Sequence, residues 1–183
     1  MRTQGIVAKR IEVGEYDQLV IFYTQDFGKI TAKAKSLSKP ISKQASHLDL
    51  FNVVDFSLIN GRNHYPIVVS AQSRQTYSNL KKSLPAIALG LFLAETIDKI
   101  IYDYDPDEAL WNFFKTAFDY LDSRAPSIDR SGALAILDNF QDKLLATLGY
   151  APKVRDASAL MKTLDQISHR QFSSLQLIRD VLK

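Results

Sequence analysis

Residues 29–35 read Lys-Ile-Thr-Ala-Lys-Ala-Lys, and apolar and polar side chains alternate along the whole stretch. Successive side chains of a β-strand point to opposite faces, so such a stretch has one apolar and one polar face. The apolar face holds Ile30, Ala32 and Ala34. The polar face holds Lys29, Thr31, Lys33 and Lys35. The pattern predicts a strand that packs one face into a core and carries three ammonium groups on the other.

Four further stretches nearby are rich in Val, Ile, Phe, Tyr and Thr and are separated by turn residues, which is typical of strands. The five predicted strands are 5–13, 18–24, 30–35, 51–59 and 65–72. Asn60-Gly61 marks a hairpin between the last two. Five short strands are too few for two packed sheets and suit a small barrel. The OB-fold, whose loops and open face often bind nucleic acid, is the commonest five-stranded barrel.

Basic residues continue beyond the third predicted strand. Lys39 and Lys43 lie in 36–46, a polar stretch with Pro40 that predicts a mobile loop. A lysine-lined strand that runs into a lysine-bearing loop can follow a phosphate backbone, because lysine neutralises phosphate charge. The alternative is that these lysines protect an exposed edge strand from pairing with another chain. The pattern alone favours neither reading.

Aromatic residues lie among the basic ones, and an exposed ring can stack on a nucleic-acid base. Phe22 and Phe51 lie inside apolar runs, so we expect them in the core. Tyr23 and Tyr65 border polar residues, so we expect them to be more open, and Tyr16 is a further stacking candidate.

From residue 84 onward apolar residues recur every three or four positions, which predicts helices. The expected helix starts are Ser83, Asp105 and Ser127. Gly149 ends the third helix. Two shorter amphipathic segments follow at 157–167 and 171–182, the second introduced by the capping-box spacing of Ser168 and Gln171. We expect a bundle of about five helices.

Charge is distributed unevenly along the 183 residues. Residues 1–83 carry 12 Lys and Arg against 6 Asp and Glu, whereas residues 84–183 carry 11 against 14. Chance variation of a solvated surface is one explanation. The other is two modules with different partners. We predict an α+β, multidomain chain with an OB-fold DNA-binding domain at 1–80 and an α-helical domain at 81–183.

Composition excludes several kinds of chemical site. The chain has no Cys, which excludes disulfides, Cys-ligated zinc and a thiol nucleophile. Its three His residues show no helical-turn spacing, and no phosphate loop, dinucleotide-binding turn, HExxH pair or GxSxG elbow occurs. We therefore expect a binding protein without cofactor or metal, and not an enzyme.

Targeting signals are also missing from the sequence. The first ten residues hold only a four-residue nonpolar stretch before Lys9, too short for a secretory signal. The longest apolar run, 86–94, is about half the length that a membrane-spanning helix needs. We expect no membrane contact and a cytoplasmic, nucleoid-associated protein.

Several short motifs recur in a recognisable order and spacing. They are Gly5-Ile6-Val7, Lys9-Arg10, Gly14-Glu15-Tyr16-Asp17, Phe22-Tyr23-Thr24, Gly28-Lys29-Ile30 and Leu48-Asp49-Leu50-Phe51. Leu148-Gly149-Tyr150-Ala151-Pro152 extends the pattern into the helical part. With these motifs the chain resembles the RecO family of bacterial recombination mediators over most of its length.

The resemblance implies an OB-fold followed by a helical domain. It implies a protein that binds single- and double-stranded DNA, anneals complementary strands and helps to load RecA at gaps. The implied partners are RecR and the acidic tail of single-stranded DNA-binding protein (SSB). The basic positions that match the family pattern are Lys9, Arg10, Lys29 and Lys35. Local chemistry adds Lys33, Lys39, Lys43 and Arg62 as DNA-binding candidates.

The chain departs from the family pattern in two places. Many relatives carry four cysteines for zinc after the Gly-Tyr-Ala-Pro segment, where this chain has Lys153-Val154-Arg155-Asp156, so zinc is not implied. Ser36-Leu37-Ser38 replaces a basic, glycine-containing stretch after the third strand, so a lower DNA affinity is expected.

Two alternative functions remain open on the sequence alone. The first is a protein–protein adaptor that acts through the helical domain, with Arg170, Arg179 and Lys183 receiving an acidic peptide tail. The second is a transcription regulator with a helix-turn-helix at 157–182, although this segment has few cations and no glycine turn.

Overall fold

The computed structural model describes residues 1–61, 65–150, 166 and 172–181, with Arg179 and Val181 described by their backbone alone. Contacts within the chain define two compact units. The barrel unit comprises 1–76 and 101–107, and the helical unit comprises 77–100 and 108–183.

Five strands form a closed barrel in the barrel unit. They are β1 (Arg2–Val13), β2 (Asp17–Thr24), β3 (Gly28–Ala34), β4 (Val53–Ile59) and β5 (Ile67–Gln75). The order around the barrel is β1-β2-β3-β5-β4, and among these strands β3 and β5 pair in parallel, through Lys33 and Ile67. β1 pairs with both β2 and β4 and thereby closes the barrel. The predicted five-stranded OB-fold is confirmed.

The strand limits differ from the prediction at their ends. β1 begins at Arg2 rather than at residue 5, and β5 continues to Gln75 rather than stopping at 72. β4 begins only at Val53, because Phe51 adopts a positive φ of 69° and turns the chain. The ends of a strand are set by backbone hydrogen bonds, whereas the apolar pattern of a sequence depends on side chains alone. The pattern therefore does not locate the ends.

The barrel core consists of the inward-facing side chains and two leucines from the β3–β4 connection. Its members are Val7, Val20, Phe22, Ile30, Ala32, Ala34, Leu37, Leu48, Val54, Phe56, Leu58 and Val68. Phe22 and Phe56 stack at its centre, with 4.2 Å between ring centroids. Burying one such side chain contributes about 1.5–3 kcal/mol. The inward face predicted for β3 is confirmed, since Ile30, Ala32 and Ala34 are fully buried.

Residues 101–107 pack on β3, although they follow the first helix of the chain. The Tyr104 N–H donates to the Lys29 carbonyl at 3.0 Å, and Lys29 pairs with Asp103 in a parallel bridge. Gly28 has a φ of +67°, and a Cβ built there would overlap the backbone of Asp105. The approach of this segment therefore requires glycine at position 28.

The described part of the helical unit contains four α-helices. They are α1 (Leu84–Ile100), α2 (Glu108–Arg124), α3 (Arg130–Thr147) and α4 (Ser173–Val181). Single-turn helices lie at Leu80–Lys82 and Ala125–Ser127. The predicted helices between 84 and 149 are confirmed, and the segment predicted at 157–167 lies outside the described residues apart from Gln166. None of the described helices is long and apolar enough to cross a membrane.

Two predicted helix starts were wrong by two residues. α2 begins at Glu108 rather than directly after Asp105, because 101–107 pairs with β3. α3 begins at Arg130, and its cap is Asp129, whose Oδ1 accepts the Gly132 N–H at 2.7 Å. Ser127 instead belongs to the preceding single-turn helix.

The first amides of α4 are satisfied by a carboxylate from α1. The Glu95 carboxylate accepts the backbone N–H groups of Ser173 and Ser174 at 2.9 and 2.7 Å, and Lys99 pairs with it at 2.6 Å. Burial opposes ionisation of Glu95, but the hydrogen bonds from Lys99 and from α4 outweigh it and lower its pKa. The predicted capping pair, Ser168 and Gln171, lies outside the described residues.

The first prediction concerns the close approach at Gly28. We expect Gly28→Ala to lower the free energy of unfolding by about 2–4 kcal/mol, because left-handed strain and backbone overlap add together. Gly14→Ala is the matched control: Gly14 has a φ of +73°, but a Cβ there meets nothing within 4 Å. Chemical denaturation of both variants measures the difference, and equal losses would contradict the packing of 101–107 on β3.

The second prediction concerns the contact between Glu95 and α4. The pKa of Glu95 in the folded protein lies below its ordinary value of 4.5. The stabilisation from its ionised carboxylate is therefore complete above pH 4.5 and disappears as the pH falls through the lowered pKa. We expect Glu95→Gln to cost about 1–3 kcal/mol at pH 7. Hydrogen exchange of the α4 amides should be faster in the variant at neutral pH. The difference in unfolding free energy between the wild type and Glu95→Gln should disappear at acid pH. The control is Glu12→Gln, because Glu12 is exposed.

Candidate nucleic-acid interface

The outward face of β3 carries the predicted lysines. Lys29 and Lys33 are partly exposed on this face, and Lys35 directly follows the strand and is exposed. The alternation predicted from residues 29–35 is therefore confirmed on both faces of β3.

Three of the predicted DNA-binding cations have carboxylate partners. Lys29 Nζ lies 3.3 Å from Asp103, and Lys33 Nζ lies 2.9 Å from Asp17. The Arg10 guanidinium lies 3.7 Å from Asp49, and its Nε donates to Gln18 Oε1 at 2.7 Å. The sequence pattern predicted a face of available cations, and these ion pairs reduce their number.

Asp17 is held in its ionised form. The hydrogen bond from Lys33 and the one from the Ser36 backbone N–H, 2.8 Å long, lower the pKa of its carboxyl group. Asp17 therefore carries its negative charge at neutral pH and offsets the charge of Lys33.

The connection between β3 and β4, predicted as a mobile loop at 36–46, consists of successive hydrogen-bonded turns. Successive turns are closed by hydrogen bonds such as Ser42 N–H to the Lys39 carbonyl, 2.9 Å long. Leu37 and Leu48 insert into the barrel core. The Asn52 amide donates to the carbonyls of Ser46 and His47 at 3.0 Å each. These anchoring residues are few and far apart in the sequence, so the polar composition of the segment does not reveal them.

The start of this connection is joined to the β1–β2 turn. The Ser38 N–H donates to the Tyr16 carbonyl at 3.0 Å, and the Gln18 side chain donates to Ser38 Oγ at 2.8 Å. The lysines that follow β3 thus have a fixed position relative to the turn at 14–16.

A shallow pocket of about 500 Å³ lies where the turn and the connection meet. Its lining residues are Val13, Gly14, Glu15, Tyr16, Asp17, Lys33, Ser36 and Lys39. The Lys39 ammonium lies 5.2 Å from the centroid of the Tyr16 ring, within the range of a cation–π contact. A hydrogen bond to Glu15 raises the pKa of Tyr16, so the phenol stays neutral. A half-exposed neutral ring beside an ammonium group can stack on a base.

The structure divides the other aromatic candidates. Phe22 and Phe51 are buried, as predicted, and Tyr65 is exposed, as predicted. The expectation that Tyr23 is open was wrong: it is fully buried, and its hydroxyl donates to the Asp107 carbonyl at 3.3 Å. The contact comes from a segment more than 80 residues away, which local sequence does not reveal.

Four lysines of β3 and the β3–β4 connection form what we call the lysine track. Its members are Lys33, Lys35, Lys39 and Lys43, of which the last three are exposed. Lys33 and Lys39 line the pocket. Lys9 is exposed on β1, and Arg62 lies outside the described residues.

Comparison with known proteins agrees with this architecture. The family model for the recombination protein O N terminal matches residues 1–77, and the one for the recombination protein O C terminal matches residues 81–178. The chain belongs to the RecO family. Both matches together cover most of the sequence, so the resemblance inferred from short motifs is confirmed.

Individual relatives are DNA repair proteins named RecO. The chain is 27% identical over 154 residues to RecO of Thermoanaerobacter sp. strain X514, which covers 84% of this chain and 60% of the relative. It is 26% identical over 174 residues to RecO of Caldanaerobacter subterraneus subsp. tengcongensis, which covers 95% and 67%. RecO of Dehalococcoides mccartyi strain BAV1 is 29% identical over 164 residues, which covers 89% and 62%. The chain thus spans about three fifths to two thirds of these relatives.

Of the cations predicted to bind a partner, Arg170 and Lys183 lie outside the described residues, and Arg179 is described by its backbone alone, on α4. The segment 157–182 of the helix-turn-helix hypothesis also falls largely outside them.

Within the described residues, a groove of about 630 Å³ lies between α2 and α3. Its lining is mostly apolar and aromatic and also includes Asn112, Thr116, Asn139 and Lys143. The sequence did not predict this groove, because its walls come from two separate helices.

Proposed function

We propose that this RecO family chain is a non-catalytic recombination mediator that binds single- and double-stranded DNA and anneals complementary strands. The lysine track beside Tyr16 on an OB-fold barrel carries the proposal. The DNA-binding domain would then be 1–80, and 81–183 the helical domain. Assistance in loading RecA, suggested by the family, completes the proposed role in recombinational repair, which takes place in the cytoplasm.

Annealing requires that a strand be held by its phosphates while its bases stay available. Lys35, Lys39 and Lys43 supply exposed ammonium groups, which suits phosphate contacts that do not depend on sequence. One ring, Tyr16, suits stacking of a single base rather than of a whole run. This combination leaves most Watson–Crick edges free.

The ion pairs within the interface do not prevent phosphate binding. Lys33 and Asp17 keep exposed fractions of 37% and 29% of their side chains, and such surface pairs contribute about 0–1 kcal/mol. A phosphate can therefore replace the carboxylate at small cost. A phosphate replaces the carboxylate partner of Lys29 less easily, because the Lys29 side chain is only 13% exposed.

The alternative reading, in which lysines protect an exposed strand edge, is weakened by the barrel. β3 pairs with β2 along its length, and its other edge contacts residues on both β5 and 101–107. The Lys33 N–H donates to the Pro66 carbonyl at 2.7 Å. β3 does not need protection against pairing along those stretches.

The second candidate function, a protein–protein adaptor, is favoured by the groove between α2 and α3. Phe113, Tyr120 and Phe140 offer apolar surface there, and Lys143 offers a cation for a carboxylate. This chemistry suits an acidic peptide with apolar side chains, such as the SSB tail suggested by the family. The RecR-type partner and RecA belong to the same proposal.

The third prediction tests the lysine track by salt dependence. If three phosphates are neutralised, log affinity for single-stranded DNA should fall with log salt at a slope near −2, or about 20-fold between 50 and 200 mM. The triple variant Lys35→Gln, Lys39→Gln, Lys43→Gln should lose most of this slope. Fluorescence anisotropy with a labelled oligonucleotide measures both quantities.

The matched control for the track variant is Lys82→Gln, Arg124→Gln, Arg130→Gln, which removes three exposed cations of the helical unit. Both triple variants should melt within a few degrees of the wild type, because exposed side chains contribute little to stability. A salt-independent affinity of the wild type, or equal effects of the two triple variants, would refute the DNA-binding proposal. Normal capture of an acidic tail peptide without DNA affinity would support the adaptor instead.

The fourth prediction concerns Asp17 as a competitor of phosphate. Asp17→Asn keeps an oxygen that can accept the Ser36 N–H but removes the charge that pairs with Lys33. We expect single-stranded DNA to bind about fivefold more tightly at 100 mM salt, with a slope steeper by about 0.7. The exposed Glu12→Gln serves as control for the change in net charge. An unchanged slope in Asp17→Asn would show that Lys33 does not reach DNA.

A further inference from the structure

A second polar surface lies on the barrel, on the outer side of β1, β4 and β5. Strand pairing places Arg2, Ser57 and Ser70 side by side in one row. The adjacent row holds Gln4, Asp55 and Gln72. Neighbours within a row lie about 5 Å apart between Cβ atoms, and the rows are separated by about 6.6 Å. Together with His47 these residues border a pocket of about 440 Å³.

The single carboxylate of this pocket lining, that of Asp55, already accepts hydrogen bonds from neighbouring side chains. The Asp55 carboxylate accepts Arg74 Nε at 2.7 Å through one oxygen and Gln4 Nε2 at 3.2 Å through the other. The hydrogen bond from Arg74 outweighs burial and lowers the pKa of Asp55, and Arg2 adds to the effect by its charge. Because Arg2 and Arg74 outnumber Asp55, this surface is positive despite the acid.

The pocket also contains hydrogen-bond donors. His47 Nδ1 accepts the Ser73 N–H at 3.3 Å and lies 3.0 Å from Ser73 Oγ, which leaves Nε2 as the ring nitrogen that carries a proton. Ser57 and Ser70 offer hydroxyl groups, and Arg2 offers a guanidinium. A guanidinium beside two hydroxyls and an imidazole N–H is the donor set that phosphate oxygens accept from.

The pocket and the lysine track lie on different strands of the barrel. In the order β1-β2-β3-β5-β4, the pocket residues lie on β1, β4 and β5, whereas the track begins on β3, which pairs with β5. The β3–β4 connection links the two sites: it begins with Lys35 and the other track lysines and carries His47 near its end. The pocket lining and the track share no residue.

The geometry points to a second phosphodiester subsite in the Arg2–His47–Ser57–Ser70 pocket, which binds either the continuation of the strand on the lysine track or its complement. This inference rests on the proposed DNA-binding function and adds to it a defined second site. Two strands held at two sites of one small barrel can be brought together during annealing. One strand that passes around the barrel would use the same donors.

Arg2→Gln is the test variant, because Arg2 is exposed and its backbone pairing with Ser57 does not depend on the side chain. The control is Arg130→Gln on α3, which removes the same charge elsewhere. The probes are an oligonucleotide of about 8 nucleotides, one of about 30 nucleotides, and a complementary pair whose annealing is followed by fluorescence. The shorter length fits one OB-fold site, and the longer one is about twice the largest.

A loss of about fivefold in affinity for the 30-mer, with the 8-mer unaffected, identifies the continuing strand. Unchanged affinities with annealing slowed several-fold identify the complementary strand. Either result supports the subsite. If Arg2→Gln matches Arg130→Gln in all three measurements while the wild type binds DNA, the subsite is refuted and the proposed function stands. If the wild type binds neither oligonucleotide, both are refuted.

Discussion

The closure of the barrel by β1 is the constraint on which the other features depend. The twelve-residue strand β1 pairs with β2 along one part and with β4 along another. A closed barrel fixes which side chains point inward, because a shift of one residue would exchange the two faces of a strand. The outward lysines of β3 and the outward polar rows of β1, β4 and β5 are consequences of the same register. The Phe22–Phe56 stack inside the barrel holds that register from the core side.

The electrostatics of the barrel unit are balanced more closely than its composition suggests. Residues 1–83 are strongly basic, yet Asp17, Asp49 and Asp103 each lie against a cation that sequence reasoning assigned to DNA. Asp103 comes from 101–107, a segment of the acidic second part of the chain. Of these three pairs, Lys29–Asp103 offsets part of the charge asymmetry between the two parts, whereas Asp17 and Asp49 already count in the charge of residues 1–83. An exposed ion pair contributes about 0–1 kcal/mol, so a cation in such a pair can exchange its carboxylate partner for another anion at small cost.

The features that sequence predicted are those set by local periodicity. The alternation at 29–35 predicted both faces of β3, and the three- and four-residue spacing predicted α1, α2 and α3. The features it missed involve groups far apart in the chain: the cover over Tyr23, the carboxylate partner of Lys29 and the Glu95 contact with α4. Each depends on where another segment packs, which no local window contains. The anchoring of the β3–β4 connection in the barrel core was missed for the same reason, since Leu37 and Leu48 are isolated apolar residues in a polar stretch.

A modest number of available cations suits the annealing role proposed for this chain. Every phosphate neutralised adds affinity but also slows release, and affinity differences among related complexes arise mainly from dissociation rates. A protein that pairs two strands must leave the duplex afterwards. Under that proposal, the three exposed lysines of the track and the exposed Arg2 and Arg74 would each supply one weak contact. The carboxylates beside Lys33 and Arg10 would act in the same direction, because they compete with phosphate for these cations.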